Sequence, residues 1–202
     1  QDTDENLDVS TVKKELEAAG LESQFSKILQ IKVGKPKEHE SVSFEEIIKE
    51  LKKQKDSKNK EILLQRFKQS TTSHLIPVSE YNELRKAANL PPLELTSEEA
   101  YLYMGKDFLP DENLVNSVLK AKPQIKVMGN DVKLIGEVHS LPIVTDREIT
   151  ISVALIVPDE TFMSYTDGHY SNYVSGILAP ELVKEKGLMR AISDTNEKLN
   201  QT

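Results

Sequence analysis

The pattern that most narrows the fold is a phrase that occurs twice. An apolar run, Leu75-Ile76-Pro77-Val78, leads into the polar pair Ser79-Glu80. A helical stripe of Tyr81, Leu84, Ala87 and Ala88 comes next and is stopped by Asn89 and Pro91-Pro92. Roughly eighty residues on, the β-rich run from Ile149 to Val157 leads into Pro158-Asp159-Glu160, then a turn or helix carrying Phe162 and Tyr165. Short apolar runs read as buried strands. A Ser or Asp followed by an acid opens a helix, because side-chain oxygens and negative charge suit its free N–H groups. The spacing predicts two βα units, around 75–88 and 149–165.

The remaining elements mix both periods. Val12, Leu16 and Ala19 share a helical face closed by Gly20, and Leu29, Ile31 and Val33 alternate as in a half-buried strand. Ser43 and Glu46 are spaced as a capping box ahead of the stripe Phe44, Ile47, Ile48 and Leu51, which predicts a helix from Ser43 to about Lys53. Ile62-Leu63-Leu64 fits either helix or strand. Glu98 to Met104 alternates Tyr101 and Tyr103 as a strand, and Asp111 to Leu119 has the stripe of a helix ending before Pro123. Gly129-Asn130-Asp131 between Ile125–Val127 and Val132–Ile135 is a hairpin signal. Tyr173 to Leu178 reads as a strand and Pro180 to Leu199 as an amphipathic helix. Hairpins among βα units exclude a purely parallel sheet. The expected fold class is therefore α+β, with a mixed sheet and packed amphipathic helices.

The 202 residues allow one large domain or two small ones, with a lysine-rich break near 52–60 as the place to divide them. There is no Cys, which excludes a disulfide framework, a zinc–thiolate site and a Cys nucleophile. A formal net charge of −7 argues against general nucleic-acid binding, which needs Lys and Arg to neutralise phosphates. The longest apolar run, Val153 to Val157, is far short of the ~20 residues that cross a bilayer. Gln1 in place of Met, with no basic-then-apolar opening, suggests a processed or excised chain.

Few residues offer chemistry. His39, His74, His139 and His169 lack a second His or a carboxylate three or four positions away on a credible helix, so no metal-site spacing is visible. Tyr165-Thr166-Asp167-Gly168-His169 is the most site-like group, although its composition is that of a polar loop. There is no Gly-x-Ser-x-Gly elbow and no phosphate-cradling glycine loop. No catalytic residue and no cofactor are expected, and an enzyme such as a secreted hydrolase is the weaker reading beside a binding protein. Lysines 49, 52, 53, 55, 58 and 60 crowd one stretch. Such a run is most often a solvated helix end, and otherwise a patch facing anionic headgroups or a contact loop for a charged ligand.

Leu75-Ile76-Pro77-Val78-Ser79-Glu80-Tyr81-Asn82-Glu83-Leu84 resembles a recurring phrase of FtsX-like ABC transporter permeases, in which a strand ends in Ser, an acid and Tyr-Asn before a helix. The Pro-Pro link, the strand Glu99 to Tyr103, and Ile151 to Phe162 are similar to the later segments of the same domain in that family. Together they resemble the large extracellular domain of permeases of the BceB/VraG type, the peptide-antibiotic resistance and sensing branch of Gram-positive bacteria. The resemblance implies that residues 1–202 are the outer part of a membrane permease at the extracellular face of the cell membrane. It further implies an ATP-binding subunit and a sensor histidine kinase as partners, with a peptide antibiotic or a lipid-linked wall precursor as ligand. No binding motif of the family maps residue by residue onto this chain. Some members use a positively charged loop, and Lys52, Lys53, Lys55, Lys58 and Lys60 are the candidate ligand-binding residues that correspond. Another FtsX-like permease, serving lipoprotein export or control of a wall hydrolase, fits the same residues.

Overall fold

The computed structural model describes residues 25–105, 109–139 and 153–178, with Lys14, Glu17 and Ala18 in helical conformation ahead of them. The expected helix over 180–199, the rest of the first helix and the start of the run at 149 lie outside the described residues. In chain order the elements are β1 (Phe25–Gly34), β2 (Val42–Ser43), α1 (Glu45–Lys52), α2 (Lys58–Gln69), β3 (His74–Pro77), α3 (Val78–Ala87) and β4 (Glu99–Met104). There follow α4 (Glu112–Leu119), β5 (Gln124–Val127), β6 (Asn130–Val138), β7 (Val153–Val157), α5 (Asp159–Thr166) and β8 (Tyr170–Leu178). The fold is α+β, as the mixed periods predict.

The eight strands form one sheet in the order β2-β5-β6-β4-β7-β3-β1-β8. It is mixed: β3 runs parallel to β7 and β4 parallel to β6, while the other neighbours are antiparallel. All five residues of β7 are buried. A strand covered on both faces reads as continuous apolar sequence instead of alternating. One face carries α1, α2, α4 and α5, whose Ile47, Leu51, Leu63, Phe67, Val115, Val118 and Phe162 pack on Leu75, Leu102, Leu134 and Leu155. The other face carries α3, with Tyr81 and Leu84 on Leu29, Ile31, Ile76, Tyr103 and Ile156.

The repeated phrase is the centre of the sheet. Leu75, Ile76 and Pro77 pair in register with Leu155, Ile156 and Val157. The helices nevertheless leave to opposite faces. α3 starts directly after Pro77, whereas Pro158 intervenes before α5. One added residue reverses the direction in which an extended chain leaves its strand, because side chains and exit vectors alternate with period two.

Capping differs from expectation in three places; at α5 the cap is Pro158, without a side-chain bond, and Asp159 lies inside the first turn. Ser43 belongs to β2, pairing with Lys126, and Phe44 is the cap of α1 without a side-chain bond. Glu46 reaches across to the β5 backbone, accepting from Gln124 N at 2.7 Å, so the capping box does not form. Pro77, not Ser79, caps α3. Its first-turn donor Ser79 N instead meets Asp159 Oδ1, at 3.1 Å, from the second unit. Asp111 does cap α4, accepting from Leu114 N at 3.1 Å. Ile62 to Leu64 is helical, within α2. The β5–β6 turn is Met128-Gly129, both at positive φ (51° and 81°), one position earlier than its Gly-Asn-Asp signal suggests.

Candidate functional site

The lysine stretch folds as the hairpin of α1 and α2. Ile47 and Leu51 bury one side of α1, and Leu63, Leu64 and Phe67 one side of α2. Lys52, Lys53, Lys55 and Lys58 are left exposed around the connection. Lys53 also pairs with Glu50 at 2.8 Å, an exposed contact of small worth. Lys60 is placed differently. It is 5% exposed, and its Nζ donates to Lys52 O (3.2 Å), Gln54 O (2.9 Å) and Asp56 Oδ1 (2.9 Å). An ammonium has three N–H bonds, and these three oxygens use them all. Lys60 therefore closes the hairpin from inside, while the other four lysines present their amines to solvent. The hydrogen bond from Lys60, and then its charge, hold the Asp56 carboxyl below its ordinary value.

A second group lies at the far end of β6. Val132 and Leu134 point into the helical face, so simple alternation would carry Gly136 and Val138 there and turn Glu137 and His139 away. The strand instead slips against β4: Ala100 pairs with Leu134 but Tyr101 with Gly136, leaving Ile135 as an extra residue. A bulge of this kind re-aims the side chains beyond it. Gly136 makes it fit, since a Cβ there would stand 2.6 Å from Tyr101 Cε1. Glu137 now sits beside Leu102 of the helical face, and Val138 packs with the opposite core. Glu137 and His139 thus meet Glu112 from the first turn of α4. His139 Nε2 is 3.2 Å from Glu112 Oε1 and 3.3 Å from Glu137 Oε1.

The electrostatics of this group are uneven. The Glu112 side chain is 62% exposed, His139 is 18% and Glu137 only 7%. Neither Glu137 oxygen, nor His139 Nδ1, has a hydrogen-bond partner among the described residues. Burial pushes the Glu137 carboxyl above its ordinary value, with the Glu112 charge adding and His139 opposing. Ligand spacing of the helical kind does not reveal this group, because the nearest same-face neighbours in a strand are i and i+2, the spacing of Glu137 and His139, whereas in a helix they are i+3 and i+4. Gly136 inside the strand was the available signal of a bulge.

The loop Tyr165 to His169 is the turn from α5 to β8. Asp167 and Gly168 take positive φ (49° and 79°), and His169 N donates to Thr166 O at 2.9 Å. It carries the chain close under Gly34, where a Cβ would stand 2.6 Å from Thr166 Cγ2 and 3.1 Å from His169 O. Its polar residues shape a turn. No protein-family model matches the chain, and no curated protein matches it in sequence. Among the described residues no helix is long and apolar enough to cross a membrane.

Proposed function

We propose that this chain is the extracellular ligand-recognition domain of an FtsX-like ABC transporter permease of the BceB/VraG type. What supports the reading is where the two phrases behind the likeness fall: they are the paired central strands and the helices leaving them. Most residues of the first phrase have a framework task. Leu75 and Ile76 fill the two cores, and Glu80 accepts from the backbone N (2.6 Å) and Nζ (2.5 Å) of Lys32 on β1. Tyr81 and Leu84 are buried, and Asn82 binds Leu93 N and O at 2.7 and 2.9 Å, fixing the Pro-Pro link. A likeness concentrated on residues that build the sheet is the kind a common scaffold produces.

On this scaffold Lys52, Lys53, Lys55 and Lys58 are the recognition residues, and Lys60 holds their loop. Lys58 also borders an open groove of about 730 Å³ along α2, lined further by Ile62, Gln65 and Arg66. Clustered cations beside a part-apolar groove suit a phosphate-bearing, lipid-linked wall precursor, alone or held by a cell-wall-active peptide. The net charge of −7 raises the local concentration of a cationic peptide. The permease's ATP-binding subunit supplies the energy and a sensor histidine kinase receives the signal. Exchanging the four exposed lysines for Glu in the whole permease should lower resistance to such peptides while the purified variant melts as the parent does. Unchanged resistance with a folded variant would make the lysines a solvated face.

A further inference from the structure

The Glu112, Glu137 and His139 group has ion-pair separations that also suit the ligand set of a metal ion. His139 Nε2 faces two carboxylate oxygens at 3.2 and 3.3 Å, and the three donor atoms all lie within 4.8 Å of one another. Zinc bonded tetrahedrally to N and O at about 2.0–2.1 Å separates its ligand atoms by about 3.3–3.4 Å. The 3.3 Å separation falls in that range and the 3.2 Å one lies just below it. The Glu137 side chain is more than nine-tenths buried, and both its oxygens lack a hydrogen-bond partner among the described residues. A buried carboxylate with only the imidazole at 3.3 Å beside it is costly, and a cation seated between the three side chains would lower that cost.

We propose that Glu112, Glu137 and His139 bind a divalent transition-metal ion of the zinc class. An imidazole nitrogen with two carboxylate oxygens selects against calcium and magnesium, which prefer all-oxygen cages. Glu112, exposed at the start of α4, gives the ion its way in. Water completes the coordination, since three protein ligands leave a zinc site open. The ion would tie the first turn of α4 to the end of β6, on the sheet's helical face. The site does not depend on the role of the lysines, and the two stand or fall separately.

The test uses the tag-free chain, stripped with a chelator, and calorimetric titration with zinc chloride at neutral pH beside a magnesium control. One saturable zinc site per chain is expected, with a rise in melting temperature and an absorption-edge spectrum showing only N and O ligands. Losing a supporting contact to a metal ligand typically costs ~10–100-fold in affinity. Losing a ligand should cost at least as much, so Glu137→Gln and His139→Gln should weaken zinc about 100-fold or more. Exposed Glu112→Gln should weaken it about 10-fold, on the same scale. Glu112→Gln lies at the surface and keeps the comparison informative if a buried variant does not fold. The proposal is overturned if the folded parent takes up no zinc saturably, or if His139→Gln and Glu112→Gln bind it as tightly as the parent.

Discussion

Lys60 belongs to a run of cations that the sequence presents as a single face, yet its ammonium is buried and bound by three oxygens while its neighbours stay in solvent. The difference is set by helix phase. Lys60 is three residues before Leu63 and four before Leu64, on the stripe that α2 buries. Replacing it with Met keeps the stem but leaves the Lys52 and Gln54 carbonyls without their donor. These bonds are part-buried, and losing a hydrogen bond from a charged donor typically costs ~1 kcal/mol or more, so Lys60→Met should lower stability in urea denaturation by about 1 kcal/mol. Lys55→Met, at an exposed position, should stay within ~0.5 kcal/mol. Equal effects of the two changes would mean that Lys60 does not close the hairpin.

At the scale of elements, the βα units depend on each other. α3 has no side chain of its own at its cap, and Ser79 N relies on Asp159 Oδ1 from α5. Removing a capping side chain typically costs ~0.5–2 kcal/mol, so Asp159→Ala should destabilise the protein by about that much. Asp159→Asn, which retains an acceptor oxygen, should recover most of the loss. The strand alternation at Leu29 to Val33, the apolar centre Val153 to Val157 and the helix over Asp111 to Leu119 could all be read from the sequence, because each depends only on neighbours in the chain. Ser43 and Glu46 misled, because both found long-range partners on β5 that compete with the local cap. The bulge at Ile135 was hidden for a related reason. It is a mismatch between two strands, and only Gly136 hints at it in one. The Glu137–His139 pair arises from that slip, so it could not be seen as a site until the register was known.

For the whole molecule, the sheet has its two similar units at its centre and, among the described residues, carries four helices on one face and α3 on the other. The phrases that suggest a permease domain are the ones that build this centre. They speak to scaffold, and the proposed ligand contact lies away from them, on the α1–α2 hairpin. The most direct measurement is calorimetric titration of the chain at low salt with bacitracin-like and nisin-like peptides, each with and without a lipid-linked wall precursor. The account predicts saturable heat with the precursor or its peptide complex, abolished when Lys52, Lys53, Lys55 and Lys58 are exchanged for Glu in a folded chain. No heat from any combination, or heat that the four exchanges leave unchanged, would contradict it.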